Sequence, residues 1–254
     1  MRTGSLKLVA ALFLLAAAVA AAQQIPPGTV LPVMLNSTLE ASRDQPGRRI
    51  TGKIMQDVPL ADGASIPKGS GIVGHVVSAS AASAGSPSRL ALQFDQLVVK
   101  GRPIPISAHL RALASMNEVY EAKMPTNSWD DYGTSQSDWN TVQIGGAGVY
   151  RGNGQVVSDG QVVGRTTDYG AVTAKLIATP AAGCHGDGGE NAREQALWLF
   201  SPAACGVYGF VDLKIAHAGR TDPVGQIDLQ SSRDVHVSGG SGWLLRVESA
   251  AANP

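Results

Sequence analysis

One short phrase occurs three times in this chain, and it limits the fold more than any other feature. Ile25-Pro26-Pro27-Gly28-Thr29 runs into VLPVML, Ile66-Pro67-Lys68-Gly69-Ser70 into GIVGHV, and, more loosely, Val237-Ser238-Gly239-Gly240-Ser241 into GWLLRV. Each copy is an apolar residue, two turn formers, a glycine, a small hydroxyl residue and an apolar-rich run. Glycine at the fourth place supplies the positive φ that a tight turn needs, and proline at the second fixes φ on entry. The apolar-rich run has the composition and length of a strand. The phrase therefore predicts, at three places, a tight turn that launches a β-strand.

The whole composition agrees with that reading. Charged residues make up 16% of the chain, and Gly (30) and Pro (14) are plentiful. Such a balance favours short strands joined by turns over long helices. At the start, Arg2 and Lys7 precede a 15-residue apolar run, residues 8–22, that ends Ala20-Ala21-Ala22. A membrane-spanning helix needs about 20 such residues. A basic start, a short apolar middle and a small-residue end describe a secretory signal peptide. Cleavage is expected before Gln23 or Gln24, leaving no transmembrane anchor and placing the protein in the periplasm or outside a bacterial cell. Without residues 1–22 the charge balance is 18 basic against 20 acidic residues, a net of about −2. That balance cannot gather phosphates, so nucleic acid is excluded as a partner. The remaining length suits one large β domain or two small ones.

Residues 25–110 read as strands at short intervals: 30–35, 49–58, 72–77, 90–99 and 104–106, with 78–88 a small, polar loop. Prolines 32, 103 and 105 cannot donate to a ladder and are expected at sheet edges or strand starts. The order PPGTVLPVML, PGRRITGKI with DVPL, SIPKGSGIVGHVV and SRLALQFDQLVVKGRPIPI resembles the C-terminal β-barrel domain of the VirB10/TrbI family, envelope components of type IV secretion and conjugation systems. Residues 235–247 are similar to that family's closing strand. The resemblance implies a small all-β barrel or sandwich made of residues 23–114 and 233–250. Its last strand would return across a β-rich insertion or second domain, 115–232. The insertion holds no long apolar helix like the one with which the family lines its pore.

Within the insertion, 115–140 is polar and reads as a loop or linker. Trp129, Tyr132 and Trp139 lie beside carboxylates there, which suits either a sugar- or peptide-binding surface or aromatic pins onto the core. Short strands are read at 141–144, 147–151, 155–157, 161–165, 171–178, 195–200, 206–216 and 224–229. Gly145-Gly146-Ala147-Gly148 has no helix after it and no βαβ setting, so it is not read as a dinucleotide loop. Cys184 and Cys205 are the only cysteines. In an exported chain an even count reads as a disulfide, here closing a loop of roughly 20 residues and contributing on the order of 3 kcal/mol.

No catalytic or metal pattern emerges. Cys184, His185, Asp187 and Glu190 lack the paired spacing of zinc ligands, and a disulfide would consume the thiol. The histidines (75, 109, 185, 217 and 236) are scattered, without a Gly-x-Ser-x-Gly elbow. His217, beside Arg220 and Asp222, reads as a turn histidine or a weak binding residue. The expected function is that of an exported, non-enzymatic envelope protein with no cofactor, binding or scaffolding a protein or an envelope polymer. A secreted hydrolase of polysaccharide or peptide, with its site in the insertion, and a part of a type IV secretion-like apparatus are the alternatives. Intact-mass analysis of exported protein, with alkylation in the absence of reductant, should give a chain beginning at Gln23 or Gln24 and no alkylated cysteine.

Overall fold

The computed structural model describes residues 24–123, 140–151, 154–158, 160–167, 171–177, 193–216 and 225–248. From the N-terminus come β1 (Val30–Leu35), β2 (Leu39–Glu40), β3 (Arg49–Ile54), β4 (Val58–Pro59), β5 (Ser65–Ile66) and β6 (Gly71–Ser80). Next are β7 (Ser88–Val99), β8 (Arg102–Pro105), β9 (Ala108–Ala114) and helix α1 (Met116–Glu121). A run of short strands continues with β10 (Asn140–Gln143), β11 (Gly146–Arg151), β12 (Gln155–Ser158), β13 (Gln161–Thr166), β14 (Val172–Ala174) and β15 (Gln195–Trp198). The chain returns through β16 (Gly206–Tyr208), β17 (Lys214–Ile215), β18 (Gln226–Ser231), β19 (His236–Val237) and β20 (Gly242–Val247).

All three copies of the phrase make the same turn. Gly28, Gly69 and Gly240 have φ of +79°, +86° and +87°. In each turn the hydroxyl residue's N–H donates to the carbonyl three residues back: Thr29 to Pro26 (3.2 Å), Ser70 to Pro67 (3.1 Å) and Ser241 to Ser238 (3.2 Å). Each turn also grips the end of a neighbouring strand. Gly28 N–H donates to Val247 O while Val247 N–H donates to Thr29 O, at 2.8 and 2.9 Å. Gly240 and Ser241 hold Leu35 in the same way (2.7 and 3.0 Å), and Gly69 and Ser70 hold Ile54 (2.8 and 2.9 Å). The first and third turns are thus reciprocal, one at each end of the β1–β20 ladder that pairs Val30 with Arg246 through to Met34 with Gly242.

The large sheet has ten strands in the order β16-β9-β20-β1-β3-β6-β7-β18-β17, with β8 beside β7. The final strand therefore does return to the N-terminal region, between β1 and β9. Two expectations need correction. The sheet does not close into a barrel: its ends, β16 and β17, carry three and two residues, and among the described residues no ladder joins them. The insertion is also shorter than 115–232, because β16 pairs with β9 and β18 pairs with β7 along Gln226–Ser231. The alternation of QIDLQS, buried at every second residue, suits a strand with one face on the core.

Residues 140–198 contribute a second, six-stranded sheet, β10 to β15 in sequence order. A single parallel bridge, Ile144 with Phe200, brings the chain after β10 next to the chain after β15. This sheet covers the outer face of β1, β9 and β20. Leu31, Leu245 and Leu113 face the main core, whereas Val30, Leu244, Ala112 and Ala114 face Val172, Leu197 and Phe200 of the second sheet. Burial on both faces explains why AHLRALA and GWLLRV are buried at every position. Trp243 anchors the main core, edge-on to Phe94 at 5.9 Å, and its indole N–H donates to Ser241 of the third turn.

Two local differences have simple causes. Residues 116–121, read as loop, form a helical turn because Ser115 caps it, accepting from Glu118 N–H; Ser-x-x-Glu is a capping signature. Pro32 sits inside the sheet rather than at an edge or strand start. Its nitrogen faces β3, whose ladder with β1 begins only at Val33, and its carbonyl still accepts Met55 N–H at 2.9 Å. Prolines 103 and 105 do lie on the edge strand β8.

Removing residues 233–254 strips the shared partner from β1 and β9, and should abolish cooperative thermal unfolding. Gly69→Ala meets no atom within 4 Å, so only its φ of +86° opposes it. Denaturant titration should register a loss of about 1–2 kcal/mol.

Candidate functional site: the cleft between the sheets

The two sheets meet at a cleft of about 270 Å³. Its near wall is Met55, Gln56 and Asp57, where the chain leaves β3. The missing N–H of Pro32 ends the β1–β3 ladder there and lets the chain turn away. Lys68, from the second copy of the repeated turn, stands at one end. The far wall is Thr167 and Ala171, on either side of the β13–β14 connection, with Trp198 at the end of β15.

Gln56 locks the two walls together. It is 4% exposed; its Nε2 donates to Thr173 Oγ1 at 2.9 Å, and its Oε1 accepts the Trp198 N–H at 2.8 Å. Trp198 has φ of +52°, in the left-handed region that a bulky residue rarely adopts. A bulge puts it there: Val172 pairs with Trp198 while the next residue, Thr173, pairs with Ala196. Such a conformation costs of order 1–3 kcal/mol and persists only where its surroundings hold it. Here the Gln56 carbonyl takes the Trp198 N–H, and the Lys123 ammonium lies 5.5 Å from the indole centroid. Asp57 Oδ1 accepts Lys68 N–H at 2.6 Å, tying the near wall to the turn. The cleft thus offers an indole, a thioether, a buried amide, a hydroxyl and one charge of each sign, the last two exposed.

A second arrangement has the outline of a nucleophile relay. Ser238 Oγ lies 3.1 Å from His236 Nε2, and His236 Nδ1 lies 3.1 Å from Glu40 Oε1. Acyl transfer also needs N–H donors aimed at the developing oxyanion. The two glycine N–H groups after Ser238 are already spent, Gly239 on Thr38 Oγ1 and Gly240 on Leu35 O. His236 sits directly opposite Glu40 in the β2–β19 ladder, and Arg43 bonds the other carboxylate oxygen at 3.0 Å. The group acts as a hydrogen-bonded cross-strand pair at the sheet surface. His75 is likewise paired with Asp95 at 2.7 Å. His109 bonds Glu248 at 3.2 Å, and Ser107 meets that same carboxylate rather than the imidazole.

A third cluster surrounds Cys205. Arg111 is fully buried on β9 and donates to the carbonyls of Ala204 (Nε, 2.9 Å) and Ile177 (Nη2, 3.0 Å). Tyr208 Oη donates to Cys205 O at 2.8 Å and accepts Cys205 N–H at 2.9 Å. Burial pushes the Tyr208 phenol above its ordinary pKa, against the opposing effects of the Cys205 hydrogen bond and the Arg111 charge. Cys205 is itself 2% exposed, and no cysteine among the described residues is free.

Of the residues singled out in the sequence, Trp129, Tyr132, Trp139, Cys184, His185, Asp187, Glu190, His217, Arg220 and Asp222 lie outside the described residues. Among the described residues, no group of three or more His, Cys, Asp or Glu could hold a metal ion, and no helix is long and apolar enough to cross a membrane. Gly145 and Gly146 make the turn from β10 into β11, with φ of +85° and +155°. No protein-family model matches the chain, and no curated protein is significantly similar to it. The cleft residues carry no sequence signal because they come from four separated segments, and Trp198 sits inside the apolar run Ala196–Phe200, where it reads as core.

Gln56→Met keeps the side chain's size but leaves the Trp198 N–H without its acceptor. Chemical denaturation should report a loss of about 1–3 kcal/mol.

Proposed function

We propose that the protein is exported to the bacterial envelope and acts there without catalysis, as a binding or scaffolding module for a protein or an envelope polymer. The observation that carries this reading is the construction of the cleft. A buried glutamine and a tryptophan in a costly backbone conformation form a cavity wall, where ordinary packing would favour relaxed apolar residues. Export is supported by the basic start and short apolar run of residues 1–22, and by the even pair of cysteines. The resemblance of residues 25–110 to an envelope β-domain agrees in compartment. Against catalysis stands the Ser238 relay, whose neighbouring glycine N–H groups are spent. No cofactor is invoked.

Exported protein should co-sediment with an isolated, insoluble envelope fraction. Ala171→Leu fills the cleft from its buried wall and should weaken that retention about tenfold or more, with melting behaviour showing that the variant is folded. Turnover of a polysaccharide or peptide substrate that Ala171→Leu abolishes would make the protein a secreted hydrolase instead. Retention indifferent to Ala171→Leu would move the partner away from the cleft.

A further inference from the structure

We infer that the cleft takes a single uncharged sugar unit, such as one residue of an envelope polysaccharide; this rests on the binding-module reading above. The volume sets the size. At about 270 Å³ the cleft lies just below the range of sites for drug-sized ligands and suits one ring with its substituents. The charges set the ligand's charge. Asp57 and Lys68 put one charge of each sign on the lining, so a charged ligand of either sign meets an opposing group as well as an attractive one.

The polar groups set its hydrogen bonding. A primary amide carries two N–H donors, and Thr173 takes one of those on Gln56, which leaves a buried donor that calls for an acceptor. The Thr167 hydroxyl already donates to Ala171 O at 3.2 Å, so towards a ligand it offers lone pairs. Asp57, with one carboxylate oxygen on Lys68 N–H, also offers lone pairs. The ligand must therefore accept at one place and donate at two within a small volume. A hydroxyl does either, and a sugar ring carries several in a fixed array. The remaining lining, Met55, Ala171 and Trp198, is largely apolar and suits the C–H groups of a ring. An extended peptide is the poorer fit, because a cleft of this size admits one residue and leaves no run of backbone partners.

Titration of the exported protein with D-glucose, D-galactose, N-acetylglucosamine, glucuronate and trialanine, monitored by tryptophan fluorescence and calorimetry, tests the inference. At least one neutral sugar should bind saturably with a Kd in the millimolar range expected for a ligand of this size. Asp57→Asn keeps the acceptor for Lys68 N–H and should weaken that binding about tenfold; Ala171→Leu should abolish it, each variant still melting cooperatively as a folded protein. Silence from all three neutral sugars overturns the inference, and so does tighter binding of glucuronate or of trialanine. If envelope retention persists while the neutral sugars fail, the ligand class is wrong and the binding-module reading stands. If both fail, that reading falls as well.

Discussion

The reciprocal grip between the first and third turns is the constraint on which the rest of the structure depends. Gly28 and Thr29 close on Val247, and Gly240 and Ser241 close on Leu35, so each strand of the β1–β20 pair is gripped at its far end by the turn that starts the other. A one-residue slip would break both grips and turn one strand's core residues, Leu31 and Val33 or Trp243 and Leu245, away from the core. Register is thereby set between strands some 210 positions apart in the chain. Positive φ at the glycines is what allows the turn N–H to point at the neighbouring strand end.

With β20 held between β1 and β9, the centre of the large sheet has two apolar faces, and only one can be turned to the main core. The outer face needs a cover, and the second sheet supplies it. Where that cover meets the end of β3, the proline in β1 has already stopped the ladder. The chain there carries Gln56 across to Thr173 and Trp198. The cleft is the space left at this junction, and its strained tryptophan is held from the opposite wall. Losing the glutamine would loosen both sheets at once.

The surface histidines make a useful contrast. His236 has a serine on one nitrogen and a glutamate on the other, yet the turn that places Ser238 has spent its own N–H groups on gripping β1 and Thr38. The feature that fixes the fold thus occupies the two glycine N–H groups that follow Ser238. The cleft has no such conflict, because its polar groups come from residues outside the turn grips, Lys68 excepted.

How far the chain alone discloses this structure depends on the range of each interaction. The turns, the strands they launch and the all-β class are local consequences of Gly, Pro and hydroxyl spacing, and the repeated phrase displays them. Ser115-x-x-Glu118 is equally local, although the helical turn it caps is short enough to pass for loop. The return of the last strand can be anticipated because its turn copies the first. Two matters have no local signal. Whether the sheet closes depends on the lengths of β16 and β17, two short strands inside a run that reads as one. The membership of β18 depends on Gln226–Ser231 finding β7 as its partner. The cleft is further still from the sequence: four segments must be folded together before Gln56 meets Trp198. Short-range backbone geometry was therefore determined by the sequence itself, whereas sheet membership, closure and the cleft were decided by long-range pairing, which no window of residues contains.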